Sequence, residues 1–302
     1  MNAINNAIQG MIDSMTEFIH GMLVDTILTQ VGDMLNQVGV TITDSADRLT
    51  STPMEFAGGG PWGLVESIAG TAGSAIQVVA GLILGFFISL ELVQMLVEKN
   101  NLADIDMISV VMKWVVKSFI AITIVSNAFV IVGAVFQIGQ EVIAGAALDS
   151  MSAIDTDIDL YALEASLQDV GIGTLIGLMM QIGMLQLIFR VIWIPIFFII
   201  VGRFLEIFMY VAVAPIPLAT MANQEYRAMG NNYLKSLLAL AFQGLFMLII
   251  IAVVGSMVAD SIAVAVVDPA GTGLWGVLGY VLLMIFGLSK ASAISKSVFG
   301  AH

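Results

Sequence analysis

Four stretches of the chain, Ile68–Leu90, Ser118–Gln140, Ser236–Ala259 and Pro269–Ser289, contain no charged side chain, and each runs for more than 20 residues. About 20 apolar residues of helix cross a hydrocarbon core ~30 Å thick. Composition agrees: 59% of the 302 residues are hydrophobic, 11% are charged and the mean hydropathy is +1.00, against about 45–50% and 25% in soluble domains. The sequence therefore predicts an all-α fold, a polytopic membrane helix bundle. With no cysteine and only two histidines, His20 and His302, the chain offers no disulfide framework, thiolate ligand or multi-histidine metal site. Phosphate-binding loops ending in Lys-Ser or Lys-Thr, zinc-helix motifs and nucleophile elbows are missing. No catalytic residue, metal or cofactor is expected, so any work must come from a partner and the chain is read as a non-enzyme.

Charge is unevenly placed. Residues 1–67 carry eight acids and one base, Arg48; residues 141–169 carry seven acids and no base; residues 260–273 add Asp260 and Asp268. The rest of the chain holds nine bases and six acids, giving −13 overall. The remaining polar gaps hold the bases: Lys99, Lys113 and Lys117, then Arg227 and Lys235, then Lys290 and Lys296. Lys and Arg near span ends mark the cytoplasmic side, so base-free and base-bearing gaps alternate as outside and inside. The amino terminus is expected outside the cell membrane and the carboxyl terminus in the cytoplasm. The first residues show no signal peptide, so export of the acidic head is expected to depend on the first span.

Residues 170–221 are apolar but interrupted by Arg190, Arg203 and Glu206. Lying between an outside and an inside loop, they must cross an odd number of times. Three crossings would need about 60 residues plus turns, and 52 are present, so one crossing is the economical reading. A straight helix of that length would run ~78 Å; a kink at Pro195 and a stop at Ala214-Pro215-Ile216-Pro217 are expected to break it. About five spans follow, at about 68–97, 114–140, 170–221, 235–259 and 269–289. They are preceded by an acidic extracellular segment, 1–67, interrupted by an acidic extracellular loop, 141–169, and followed by a short cytoplasmic tail, 290–302.

Ile4, Ile8, Met11, Met15, Phe18 and Met22 fall at spacings of 4, 3, 4, 3 and 4, a helical stripe. An amphipathic helix is expected over about residues 3–38. An interfacial anchor carries Lys and Arg on its polar face; this helix carries Asp13, Glu17, Asp25 and Asp33, so protein contact is favoured over lipid. Two readings stay open: packing on the chain's own membrane domain, or on a neighbouring copy or partner. The run Gly58-Gly59-Gly60-Pro61-Trp62-Gly63 then reads as a hinge, with Trp62 at the outer interface.

Polar residues inside spans are costly in lipid and are expected to face protein or water. Gln77, Asn127, Gln181, Gln186, Arg190 and Glu206 thus outline a candidate inner surface, together with Glu91, Arg203 and Gln243. Arg203 and Glu206, three apart, can pair with each other, and Glu91 can simply lie near the cytoplasmic interface. Gly81 with Gly85, and Gly173 with Gly177, permit close helix approach and argue packing.

The stretch GRFLEIFMYVAVAPIPLAT, Gly202–Thr220, followed by YLKSLLALAFQG, Tyr233–Gly244, resembles the TrbL-like polytopic inner-membrane channel subunits of conjugative type IV secretion systems, especially the Gram-positive branch. The matching residues are Arg203, Pro215 and Pro217, Thr220, Gly230, Tyr233, Lys235, Gln243 and Gly244; the rest of the resemblance, over about 68–289, is architectural. The tail after Lys290 is shorter than that pattern leads one to expect. The resemblance implies a homo-oligomer, a ring, working with cytoplasmic translocation and coupling ATPases and other channel subunits, and passing single-stranded DNA attached to a relaxase. Arg227 and Lys235 are candidate contacts for a cytoplasmic partner. Ten bases in the whole chain are too few and too scattered for a groove making six to ten phosphate contacts, so no tight DNA binding is expected. The alternative reading is a small-molecule or ion transporter or channel unrelated to conjugation; discontinuous helices near 190–217 favour it and the lack of an internal repeat disfavours it.

Overall fold

The structure, a computed structural model, describes residues 2–71, 73–99, 107–151, 160–268 and 272–301. Among them every regular element is helical: α1 (Asn2–Thr50), α2 (Gly60–Val65), α3 (Ala75–Lys99), α4 (Met107–Ser126), α5 (Ala128–Met151), α6 (Leu160–Leu167), α7 (Ile172–Val213), α8 (Pro215–Ala219), α9 (Arg227–Val267) and α10 (Gly273–Phe299). Six helical stretches are long and apolar enough to cross a membrane, and α1 is not among them. The chain divides into two compact units, one of Met1–Arg48, Ala147–Ile199 and Leu248–Ser289, the other of Leu49–Ala146, Ile200–Met247 and Lys290–His302.

The all-α polytopic bundle is as the sequence leads one to expect, with differences in the bounds of its elements. Among the described residues six membrane-length helices stand against about five expected spans, because the stretch at 114–140 is divided at Asn127. The split is local: Asn127 N–H still donates to Thr123 O at 3.2 Å, and Ile131 N–H to Asn127 O at 2.9 Å. The two helices therefore follow one another through a kink and not through a reversing turn. Within 170–221 the expected stop at Ala214-Pro215-Ile216-Pro217 forms, for α7 ends at Val213 and α8 opens at Pro215. Helix α7 runs unbroken for 42 residues with Pro195 inside it, about 63 Å at 1.5 Å per residue. Pro is tolerated there because neighbouring groups in a bundle re-satisfy the freed backbone. Much of the predicted loop 141–169 is also helical: α5 continues to Met151 and α6 covers Leu160–Leu167, while its acids Asp155, Asp157 and Asp159, and the start of the predicted last span at Pro269, lie outside the described residues. The predicted tail is largely the end of α10.

Helix α1 extends twelve residues past its predicted end. Thr41, Thr43 and Ser45, poor helix formers, satisfy their hydroxyls within the helix by donating to the carbonyls of Gln37, Gly39 and Thr41 at 2.6–2.9 Å,. In the first unit its residues Ile27, Val31, Met34, Leu35, Val38 and Ile42 are buried. Gln186 Nε2 donates to Gln30 O (2.8 Å), His20 Nε2 bonds Val170 O (2.9 Å), and the Arg48 guanidinium, paired with Asp44 at 2.8 Å, lies 5.5 Å from the Phe197 ring centre. From residue 23 onward, then, α1 packs on the chain's own helices; residues 4–18 are all exposed. Later in this unit Gly273 meets the Ala265 backbone so closely that a Cβ would lie 2.5 Å from it. Lipid supplies no hydrophobic drive between spanning helices, so such small-residue contacts carry their association.

In the second unit the Gly58–Gly63 run breaks the chain as expected. Ala57, Gly58 and Gly59 have φ of 52°, 72° and 78°, a left-handed run in which two of three residues are glycine, the residue that tolerates it. The run is pinned and does not hang free: Phe56 stacks on Phe204 at 4.2 Å, and Trp62 rests on Phe129 at 5.0 Å and against Gly133.

Candidate functional site

The residues with the densest polar contacts lie in the second unit, where the chain leaves α7. Pro215 cannot donate to the helix it follows and instead opens α8, since a missing N–H costs nothing at a first-turn position,. Leu218 N–H bonds Ala214 O at 3.3 Å, and Thr220 Oγ1 donates to Pro217 O at 2.8 Å. A 3-10 turn, Thr220–Ala222, ends at Asn223, whose extended backbone (φ −108°, ψ 140°) carries the chain away from the helix. Without fixing, such a segment would be mobile.

Helices α3 and α4 fix it. Asn223 is fully buried; its Nδ2 donates to Gln94 Oε1 at 2.8 Å and its Oδ1 accepts the Glu225 N–H at 3.0 Å. The Gln224 N–H donates to Glu91 Oε2 at 3.0 Å, while Glu91 Oε1 accepts from Lys117 Nζ on α4. Glu91 is only 4% exposed. Its two oxygens thus meet one ammonium and one backbone N–H, the partners that burial of so polar a group requires,. The Tyr226 ring packs on Phe87 at 4.9 Å, and the Trp114 indole donates to Ile88 O at 2.9 Å, tying α4 to α3. Beside this clamp lies a cleft of about 420 Å³ bounded by Glu91, Gln94, Lys113, Gln224 and Glu225.

The return into α9 is equally close. A Cβ at Gly230 would stand 2.2 Å from Met221 Cγ and 2.9 Å from Pro217 O, so only glycine brings the start of α9 against the α8 turn. Tyr233 stacks on Tyr210 and donates its hydroxyl to Tyr210 O at 2.9 Å. Arg227 and Lys235, by contrast, are exposed. The arrangement is a rigid re-entry from α7 to α9, sewn to α3 and α4, that presents two cations.

Deeper in the same unit Arg203 is buried, with Nη2 3.4 Å from Ala241 O and with Nε and Nη1 lacking partners. Its guanidinium lies 5.7 Å from the Phe204 ring centre and against Gly244, where a Cβ would come within 2.7 Å of it. Pairing with Glu206 does not occur; Glu206 takes Lys296 instead at 3.3 Å. Gln243 is buried with Oε1 unpartnered. A buried cation with one long hydrogen bond costs free energy, so Arg203→Met is expected to leave the stability of the chain in detergent, followed by its unfolding temperature, unchanged or raised, by up to about 4 kcal/mol on the precedent of buried ions replaced by apolar groups. A fall of several degrees would mean that the guanidinium is held by an anion.

The remaining inner-surface candidates lie on α3, on α7 and at the junction of α4 and α5. They divide three and three between the units, with Gln77, Asn127 and Glu206 in one and Gln181, Gln186 and Arg190 in the other. Asn127 is exposed and donates back to Thr123 O at 2.8 Å, Arg190 is exposed, and Gln181 and Gln186 are half-buried. Gln77 reaches the carbonyls of Val125 and Ser126 at 3.5 Å. Gln186 reaches Gln30 O and Glu206 reaches Lys296, partners distant in sequence that period alone could not reveal. The clamp residues Gln94, Lys117, Asn223 and Gln224 were not singled out as a site. The available signal was one acid, Glu91, and one base, Lys117, each entering an otherwise apolar span with opposite sign.

A family model described as TrbL/VirB6 plasmid conjugal transfer like protein matches residues 35–215. The matched region begins earlier than the 68–289 expected, taking in the packed part of α1, and ends at Pro215, so that of the residues that carried the resemblance only those from Gly202 to Pro215 fall inside it. No curated protein and no solved structure matches the chain.

Proposed function

Since the chain belongs to the TrbL/VirB6-like plasmid conjugal transfer family, and is a multi-pass membrane subunit of a conjugal transfer machine, we propose that it acts as an oligomeric, non-enzymatic channel or scaffold of a type IV secretion system. Its amino terminus lies outside and its carboxyl terminus in the cytoplasm. The clamped segment 214–235 faces the cytoplasm and presents Arg227 and Lys235 to a translocation or coupling ATPase. The observation that carries this reading is the clamp. Glu91, Lys117, Gln94 and Asn223 hold a loop in one conformation and leave its cations exposed, as a docking platform requires and a simple turn between spans does not.

The transferred single-stranded DNA with its relaxase is handled without being gripped. Phosphate neutralisation supplies most non-specific affinity, and this chain has ten bases against twenty-three acids. Full-length protein in nanodiscs is expected to bind single-stranded DNA more weakly than ~10 μM at physiological salt, on the scale of non-specific binding, as read by fluorescence anisotropy. Binding at nanomolar concentration would show that the chain holds the DNA itself.

A further inference from the structure

The stripe at the start of α1 divides in two. Beyond residue 22 the apolar face packs into its own unit, but Ile4, Ile8, Met11, Met15, Phe18 and Met22 are 50–73% exposed. Their spacing is a strict heptad: Ile8, Met15 and Met22 stand seven apart in one row, Ile4, Met11 and Phe18 in the other. A 3.5-residue period is wanted by a helix that winds around other helices, not by one lying on a flat lipid surface. The flanks agree. On one side Ala7, Ser14 and Gly21, also seven apart, are small; on the other Ile12 is exposed and Ile19 half-buried.

We infer that residues 4–22 form a parallel helical bundle with the same residues of other copies of this chain. Three observations select a like copy over another occupant. Identical helices repel if charges flank the seam, and here the flanking positions carry none: Asp13 and Glu17 sit on the outer face of the heptad. No base occurs before Arg48, so anionic headgroups have nothing to bind. Copies inserted in one membrane share an orientation and are related by rotation about the membrane normal, which lays their first helices side by side in the same direction. The seam includes Ile12 as well as both rows and is wider than a two-stranded coil covers, so more than two helices join. This rests on the oligomeric reading above and locates one of its contacts.

Because the chain has no cysteine, single substitutions M15C, M22C and D13C in the full-length protein report the seam directly. Membranes of cells making this chain and no other transfer protein are treated with a short bismaleimide. Cross-linked dimers of M15C and M22C are expected to exceed those of D13C at least ten-fold, and the added pair M11K/F18K is expected to bring M15C down to the D13C level. If M15C cross-links no better than D13C while the native mass in nanodiscs is that of an oligomer, the seam is wrong and oligomerisation uses other surfaces. A monomeric mass would overturn the oligomeric reading as well. Cross-linking of M15C to a different protein would overturn the choice of a like copy.

Discussion

Glu91→Ala is expected to free the segment 220–230 from α3 and α4 and to expose it to protease. The substitution removes at once the acceptor for Lys117 and the acceptor for the Gln224 amide. Breaking a buried ion pair by deleting one member costs about 3–5 kcal/mol when the survivor is fully buried. Here the Lys117 side chain keeps 28% exposure and can partly resolvate, so about 2–3 kcal/mol of local stability is the expected loss. In a segment that opens locally before cleavage, that corresponds to a rise of about 30–150-fold in the rate of tryptic cutting after Arg227. The measurement is a cleavage time course on full-length protein in nanodiscs. Glu91→Gln keeps the acceptor for the Gln224 N–H and gives up only the charge, so its rate is expected to fall between the two. Unchanged cleavage in Glu91→Ala would mean that the loop is held by Asn223–Gln94 and the Phe87–Tyr226 contact alone.

The class of fold was legible in the sequence because uncharged stretches of membrane length have few alternatives. Boundaries were less so, for identifiable reasons. Arg190, Arg203 and Glu206 interrupt the hydropathy of 170–221 without interrupting the helix, since Arg203 is buried by its neighbours and Glu206 finds Lys296 on α10, a partner 90 residues away that no local pattern could indicate. The apolar stripe that marks α1 carries only to about residue 38, and the Thr41, Thr43 and Ser45 that follow are weak helix formers whose bonds to preceding carbonyls appear only once the helix exists. The stop at Pro215 and Pro217 belongs to backbone sterics and could be read in advance; the need for glycine at position 230 comes from its approach to Met221 and Pro217 O and could not. The clamp could not: Glu91 meets Lys117 and Gln224 through contacts spanning 26 and 133 positions. Of the residues proposed for an inner polar surface, Asn127 bonds the carbonyl of Thr123, four positions back, and Gln186 that of Gln30, 156 positions away, and only the first of these could be read from local sequence.

The largest functional effect is expected from reversing the two cations that the clamped loop presents. Arg227 and Lys235 are exposed and are absent from the ion pairs that hold the loop, so R227E/K235E leaves the fold of the second unit alone while turning an attractive surface into a repulsive one. Truncating a charge at an interface costs about 2–5 kcal/mol when its partner is buried, and each 1.4 kcal/mol is a factor of ten in binding. Loss of a cytoplasmic ATPase from the platform would therefore cut DNA transfer by at least about 100-fold. The decisive measurement is transfer frequency from donor cells whose own copy of the chain is deleted and replaced by wild type or by R227E/K235E, with membrane level and native oligomer mass recorded for both. Restoration by wild type with a 100-fold or greater deficit for the charge-reversed chain, at equal level and mass, is the predicted result. Transfer at wild-type frequency from the charge-reversed donor would contradict the platform, and transfer that persists in the deletion itself would contradict a role for the chain in the machine.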